Sequence, residues 1–258
     1  IEWSSRLNQK MLEDRETIVT RRIQAAGIVW GIVFLSCGLL GGAELQIQQE
    51  DATIEILVDG RSVLVYNKQS PAVPEGVDPI YWRTGFLHPV ASPQGRIVTA
   101  TFPADHLHQH GIFSAWVRTS YAGHEIDFWN LAGRTGRVLH DQMVETFHGD
   151  HSAGFVVDLI HRAELDPPVD VLRERWRITV HPRNDGTHCF DLETTQTALT
   201  DEPLLVQEYH YGGIALRGPE QWVTAADADL DGAGDRAPRE PSWFLNNLGS
   251  RRPEGNHQ

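Results

Sequence analysis

Arg173-Glu174-Arg175-Trp176-Arg177-Ile178-Thr179-Val180 is the stretch whose reading decides the fold. Charged and bulky residues alternate there with a period of two. That is the pattern of a strand with one wet face and one dry face. The same period runs outward in both directions. Leu45, Ile47 and Gln49 alternate with polar neighbours, and Thr53–Val58 leads through Asp59-Gly60, a hairpin turn, into Ser62–Tyr66. Further strand-like runs are Ile97–Phe102, Ile112–Thr119, Gly154–His161, Val171–His181, His188–Thr197 and Leu204–Leu216. Turn chemistry separates them at Pro93-Gln94-Gly95, Tyr121-Ala122-Gly123, Asp166-Pro167-Pro168 and Asn184-Asp185-Gly186.

No run after residue 43 keeps helical periodicity for three turns. The expected fold is therefore all-β, an antiparallel β-sandwich or large double sheet. Composition agrees: 8 Trp, 23 Gly and 14 Pro suit a turn-rich, aromatic-rich β protein. The 258 residues carry a net charge of −13, which argues against a nucleic-acid partner and against anionic lipid.

The first 43 residues read differently. Arg21-Arg22 precede the apolar run Ala25–Leu40, and Gly41-Gly42-Ala43 follows. At 16 residues the run is short for a span of about 20. The layout is that of a signal peptide cut near Ala43, with a single-span anchor as the alternative. The expected organisation is a leader over 1–43 and one β domain over 44–258. The protein would be exported, with no membrane contact beyond the signal segment. Cleavage would leave Cys189 as the single cysteine, so the core must hold without a disulfide.

Thirteen His make the count unusual, and three crowd into Asp105-His106-Leu107-His108-Gln109-His110-Gly111. If extended, His106, His108 and His110 share one face at about 6.6 Å spacing. They could then ligate a divalent transition metal such as Zn, Cu, Fe or Ni, or serve as acid–base groups. The alternative is a polar loop entering the Ile112 strand. Asp105 is a candidate for substrate contact.

A second cluster is Gln207-Glu208-Tyr209-His210-Tyr211-Gly212-Gly213. Glu208 and His210 share a strand face and could act as base and acid, with His108 opposite, or as two more metal ligands. Gly212-Gly213 would admit a close backbone or ligand. The alternative is an exposed cross-strand polar pair. A third cluster, Glu125–Asn130 followed by Gly133-Arg134-Thr135-Gly136-Arg137, resembles a sugar-binding surface. Trp129 would stack on a sugar face, Asn130 would hold hydroxyls, and Arg134 or Arg137 would suit an anionic group. An aromatic core corner is the competing reading. Asp227–Asp235 imitates a calcium loop, but Pro238 stands where a bidentate Glu is needed, so an acidic loop fits better. His88 reads as a satisfied core residue. Neither a Gly-x-Ser-x-Gly elbow nor a phosphate-cradling glycine loop is present.

The stretch His88-Pro89 through Asp105–Gly111 to Trp116, with Asp127-Phe128-Trp129-Asn130, Gly136-Arg137-Val138, Tyr209-His210-Tyr211-Gly212-Gly213 and Arg217-Gly218-Pro219-Glu220-Gln221-Trp222, resembles a bacterial exported family of unknown function. That family is often labelled PmoA family protein, or methane oxygenase PmoA. The resemblance covers about residues 44 to 257, and it implies further strands after the last residues here. Family members often carry His-His after Asp-His-x, where this chain has His108-Gln109-His110. The label implies a metal-dependent oxygenase. A chain with one apolar run is not the several-span membrane subunit of methane monooxygenase. The all-β pattern is also similar to mutarotase-like sugar sandwiches. The expectation is a His-rich pocket directed at a carbohydrate, polyol or other small molecule. Two alternatives are the oxygenase-like enzyme and a non-catalytic carbohydrate-binding module.

Overall fold

A computed structural model describes residues 43–222, apart from 184 and 186. Every described residue belongs to one compact unit. The leader and the Asp227–Asp235 loop lie outside the described residues. Among those described, no helix is long and apolar enough to cross a membrane.

The first sheet is antiparallel and six-stranded. It holds β1 (Leu45–Gln49), β2 (Thr53–Val58), β3 (Arg61–Asn67), β4 (Phe86–Val90) and β5 (Ile112–Ala115), in that order. β13 (Gly213–Leu216) pairs with β5 at the far side. The second sheet has the order β11 (His188–Ala198), β10 (Val169–Pro182), β9 (Ser152–Ala163), β8 (Gly136–Gly149). A small third sheet joins β12 (Leu205–Val206), β6 (Thr119–Tyr121) and β7 (His124–Ile126). The sheets pack as a sandwich.

The core follows from the alternation. On β10, Glu174, Trp176, Ile178 and Val180 are fully buried while Arg173, Arg175 and Arg177 face outward. Ile54, Ile56, Leu64, Tyr66, Phe86 and Phe113 supply the opposite wall. The outer face of β9 is also covered. Asp158 is buried there beneath Arg175, which donates to it at 2.7 and 2.9 Å. The arginine stems shield the underlying Val156 and Ile160, as long cationic side chains do.

Glu174 breaks the simple pattern, because a carboxylate lies on the dry side. It accepts from His161 at 2.8 Å and from Trp176 Nε1 at 2.9 Å. It also bonds Ser114 of the facing sheet. Burial pushes its carboxyl up, but the His161, Trp176 and Ser114 bonds outweigh this and hold it below the usual range.

Three strand expectations are corrected. Ile97–Phe102 is not a strand, since its ladder pairing is limited to isolated bridges at Ala91–Ile97 and Thr101–His110. Leu204–Leu216 is two short strands with an irregular segment between them. Ile112–Thr119 likewise splits between β5 and β6. The 14-residue β8 was not expected at all. Its apolar residues come as the neighbours Val138-Leu139 and Met143-Val144 rather than as alternates. Register shifts between His140 and Gln142 and between Met143 and Glu145 re-phase it, so period two is lost in the sequence.

Candidate functional site

The segment from Pro103 to His110 is a pair of turns, closed by His106 N–H to the Pro103 carbonyl at 3.1 Å and Gln109 N–H to the His106 carbonyl at 2.9 Å. It is not extended, so the single-face geometry expected for the three imidazoles does not hold. Pro103 and the short polar residues favour turns over a sheet ladder here.

The loop is anchored at both ends. Arg217 donates to Asp105 at 2.5 Å and to Gln109 at 3.1 Å, and His106 lies 3.1 Å from the same carboxylate. Asp105 and Arg217 are both nearly buried. Burial works to raise the Asp105 carboxyl, but the bonds from Arg217 and His106 bring it below its ordinary value. Asp105 is thus committed to the loop rather than open to a substrate. Gly111 closes the loop with φ +52°, and a Cβ there would lie 1.9 Å from the Leu87 carbonyl oxygen. Only glycine lets the loop pass so close to β4.

The three histidines have separate fates. His110 is fully buried. Its Nε2 donates to the Tyr81 carbonyl at 3.1 Å, and its Nδ1 pairs with the Thr101 hydroxyl at 2.5 Å. Phe102 and Phe86 pack against its ring. Both nitrogens are used, so His110 has no lone pair left for a metal, which corrects its place in the expected ligand set. Burial, followed by the Arg83 charge, lowers it to about 3. His106 is half exposed. His108 sits beside it with ring centroids 5.7 Å apart. It is half-buried, and neither of its ring nitrogens has a partner among the described residues. Burial, then Arg83 and His106, lowers His108 to about 4. A neutral imidazole with a free lone pair at neutral pH can accept a proton. Among the described residues, no three His, Cys, Asp or Glu side chains cluster as a metal set.

The corner that follows β7 holds the Asp127–Asn130 cluster. Asp127 caps it, accepting from Trp129 N–H at 2.8 Å, Asn130 N–H at 2.9 Å and Asn130 Nδ2 at 2.7 Å. The Asp127 charge reaches Arg83, His108 and Tyr211 electrostatically. Asn130 also bonds the Tyr211 hydroxyl. Trp129 is buried between Phe113 at 4.7 Å and Tyr211 at 5.1 Å, so it is a wall rather than a stacking platform. Arg137 is likewise taken up by the fold. It donates to the Trp82 carbonyl at 2.7 Å and the Ile80 carbonyl at 3.3 Å, and it stacks on the Trp82 ring. The anionic contact expected of Arg137 is therefore corrected. Its guanidinium holds the 3₁₀ turn Pro79–Tyr81 in place.

Residues 207–212 are irregular, so strand alternation does not put Glu208 and His210 on one face. Glu208 is exposed, with no side-chain bond among the described residues. His210 packs against Tyr209 at 4.2 Å and Tyr211 at 4.7 Å. These three rings, with Trp116, Arg118 and Gln207, line an open groove of about 270 Å³. Gly212 and Gly213 bend the chain at φ +150° and +78° against the Trp116 ring. Tyr211 joins the groove to the Asp127–Asn130 corner. Tyr209 and Tyr211 are exposed along this groove, at 42% and 39%.

Two residues of this site escaped sequence reasoning. Arg83 is buried at 1% exposure beneath the corner, donating to the Trp129 carbonyl at 3.3 Å. Its cue was an arginine directly after Tyr81-Trp82 and just ahead of the apolar Phe86-Leu87. Arg217 stands in the Arg217–Trp222 stretch of the family resemblance, but its role as the loop anchor had no cue, because its partners lie more than a hundred residues away in sequence.

The chain belongs to a family of unknown function (DUF6807), whose model matches residues 53–244. No curated protein and no solved structure matches the chain.

Proposed function

We propose that this chain is an exported protein that binds a carbohydrate or polyol in the Tyr209–Tyr211 groove and presents it to His108. The observation that carries the reading is the junction at Tyr211. One face of that residue belongs to an aromatic groove, and its hydroxyl meets Asn130 and the Asp127 corner. Exposed rings stack on the apolar faces of sugars, while amide and carboxylate groups sort hydroxyls. Pockets that recognise small polar molecules combine those two elements. His108 supplies the proton-accepting group, being neutral, half-buried and without a ring-nitrogen partner among the described residues.

Calorimetric titration of a panel of neutral and acidic sugars tests this. At least one sugar class should bind the wild type, and Tyr211→Ala should weaken it by tenfold or more while the thermal unfolding midpoint moves little. Binding that survives both Tyr211→Ala and Tyr209→Ala, or a panel that is silent throughout, would refute the proposal.

A second reading, the metal-dependent oxygenase, draws support from the His106–His108 pair, whose rings are close enough to share an ion. It needs further ligands beyond those described. Stoichiometric Cu, Fe or Zn in the purified protein, lost on His108→Ala, would favour it over the first.

A further inference from the structure

The Asp59-Gly60 turn does more than join β2 to β3. Both residues have positive φ, +50° and +71°, between the paired Val58 and Arg61, as a two-residue type I′ hairpin requires. Asn-Gly serves such a turn as well as Asp-Gly does, so the turn by itself does not call for a carboxylate. The Asp59 carboxylate reaches across to the start of β1. Its Oδ1 accepts from the Glu44 backbone N–H at 2.8 Å, and the Asp59 N–H donates to the Glu44 carbonyl at 2.8 Å. The ladder proper begins at the next residue, with Leu45 opposite Val58. The Glu44 side chain accepts from Gln46 Nε2 at 2.8 Å. Glu44 is thus fixed at its nitrogen, its carbonyl and its carboxylate.

Ala43, directly before it, is exposed and outside the strand. In the sequence Ala43 closes Gly41-Gly42-Ala43, which places small residues third and first before the Ala43–Glu44 bond. That is the pattern a leader peptidase reads. The bond marked by the motif is therefore the one whose nitrogen Asp59 holds.

We infer that the Ala43–Glu44 peptide bond is a processing site, and that Asp59 receives the amino terminus the cut creates. The exporting cell's signal peptidase is the catalyst, and water is the co-reactant. The water oxygen goes to the Ala43 carbonyl carbon, which departs with the leader as a carboxylate. Both water hydrogens go to the Glu44 nitrogen, which becomes an ammonium. A neutral amide bond to Asp59 then becomes a charge-assisted one, a class that is roughly twice as strong. Processing so fastens the first strand instead of loosening it. The inference rests on the export reading above and is independent of the sugar groove.

Expression of the full chain in a bacterial host, followed by N-terminal sequencing of the exported protein, tests the cut. NMR titration of its α-amine tests the receptor. The exported protein should begin at Glu44, and its α-amine should titrate about half a unit or more above that of exported Asp59→Asn. Asn keeps the turn, so the variant retains the hairpin. Arg61, Arg183 and His188 line the same groove as Ala43 and Asp59, and Glu44 brings its own carboxylate. These groups act alike in both proteins, so the difference isolates Asp59. An exported protein that begins at another residue overturns the inference and leaves the export reading standing. A Glu44 start with equal titration in the two proteins overturns the Asp59 assignment. A chain that keeps its leader removes the inference, and its retention in the cytoplasm removes the export reading with it.

Discussion

Consider the replacement of His110 by Phe. His110 is fully buried, and the fold holds it neutral by burial and by the Arg83 charge, with a pKa of about 3. An unfolded histidine titrates at about 6.5. Between those values the unfolded chain binds a proton that the native chain refuses. Stability from this group is therefore fully present above pH 6.5 and drains away as the pH falls toward 3. The slope is about 1.4 kcal/mol per pH unit, so the loss between pH 7.5 and 4.5 is about 2.7 kcal/mol. Phe in the same place keeps the contacts with Phe86 and Phe102 and titrates nothing. It strands the Thr101 hydroxyl and the Tyr81 carbonyl, which costs about 1–3 kcal/mol at pH 7.5. Urea unfolding followed by tryptophan fluorescence at pH 7.5, 6.5, 5.5 and 4.5 measures both effects. The wild type should lead at pH 7.5, and its lead should shrink by about 2.7 kcal/mol at pH 4.5. Other groups titrate alike in both proteins and cancel. Parallel curves would mean that His110 carries no suppressed proton, and the account of its burial would be wrong.

Other substitutions probe the scaffold. Gly111→Ala should cost more than about 4 kcal/mol, because its Cβ meets backbone at 1.9 Å with φ already positive; an unfolding midpoint within a few degrees of wild type would contradict this. Glu174→Ala leaves His161 and Trp176 without their acceptor inside the core and should lose about 3–5 kcal/mol, read by chemical denaturation. A cost below 1 kcal/mol there would show that the pair is dispensable.

The sequence alone was enough for the sandwich and for most of its strands. Period two in Arg173–Val180 is a local property, and one wet face needs nothing distant to reveal it. It failed at β8, where two bulges shift the phase, and along Ile97–Phe102, where an apolar run of strand length makes only single bridges. The neighbourhood of the site was also visible, since His106–His110, Asp127–Asn130 and Tyr209–Tyr211 stood out by composition. Their roles were not. Which imidazole stays free depends on a carbonyl from Tyr81 and a hydroxyl from Thr101, and neither is marked in the motif. Asp105 and Arg137 look like ligand contacts until Arg217 and the carbonyls of Ile80 and Trp82 occupy them. The sequence lists the donors and acceptors, but pairing among them is settled by the packing of the whole chain. Arg83, buried under the Trp129 carbonyl with its Nε unpartnered among the described residues, is a product of that pairing alone.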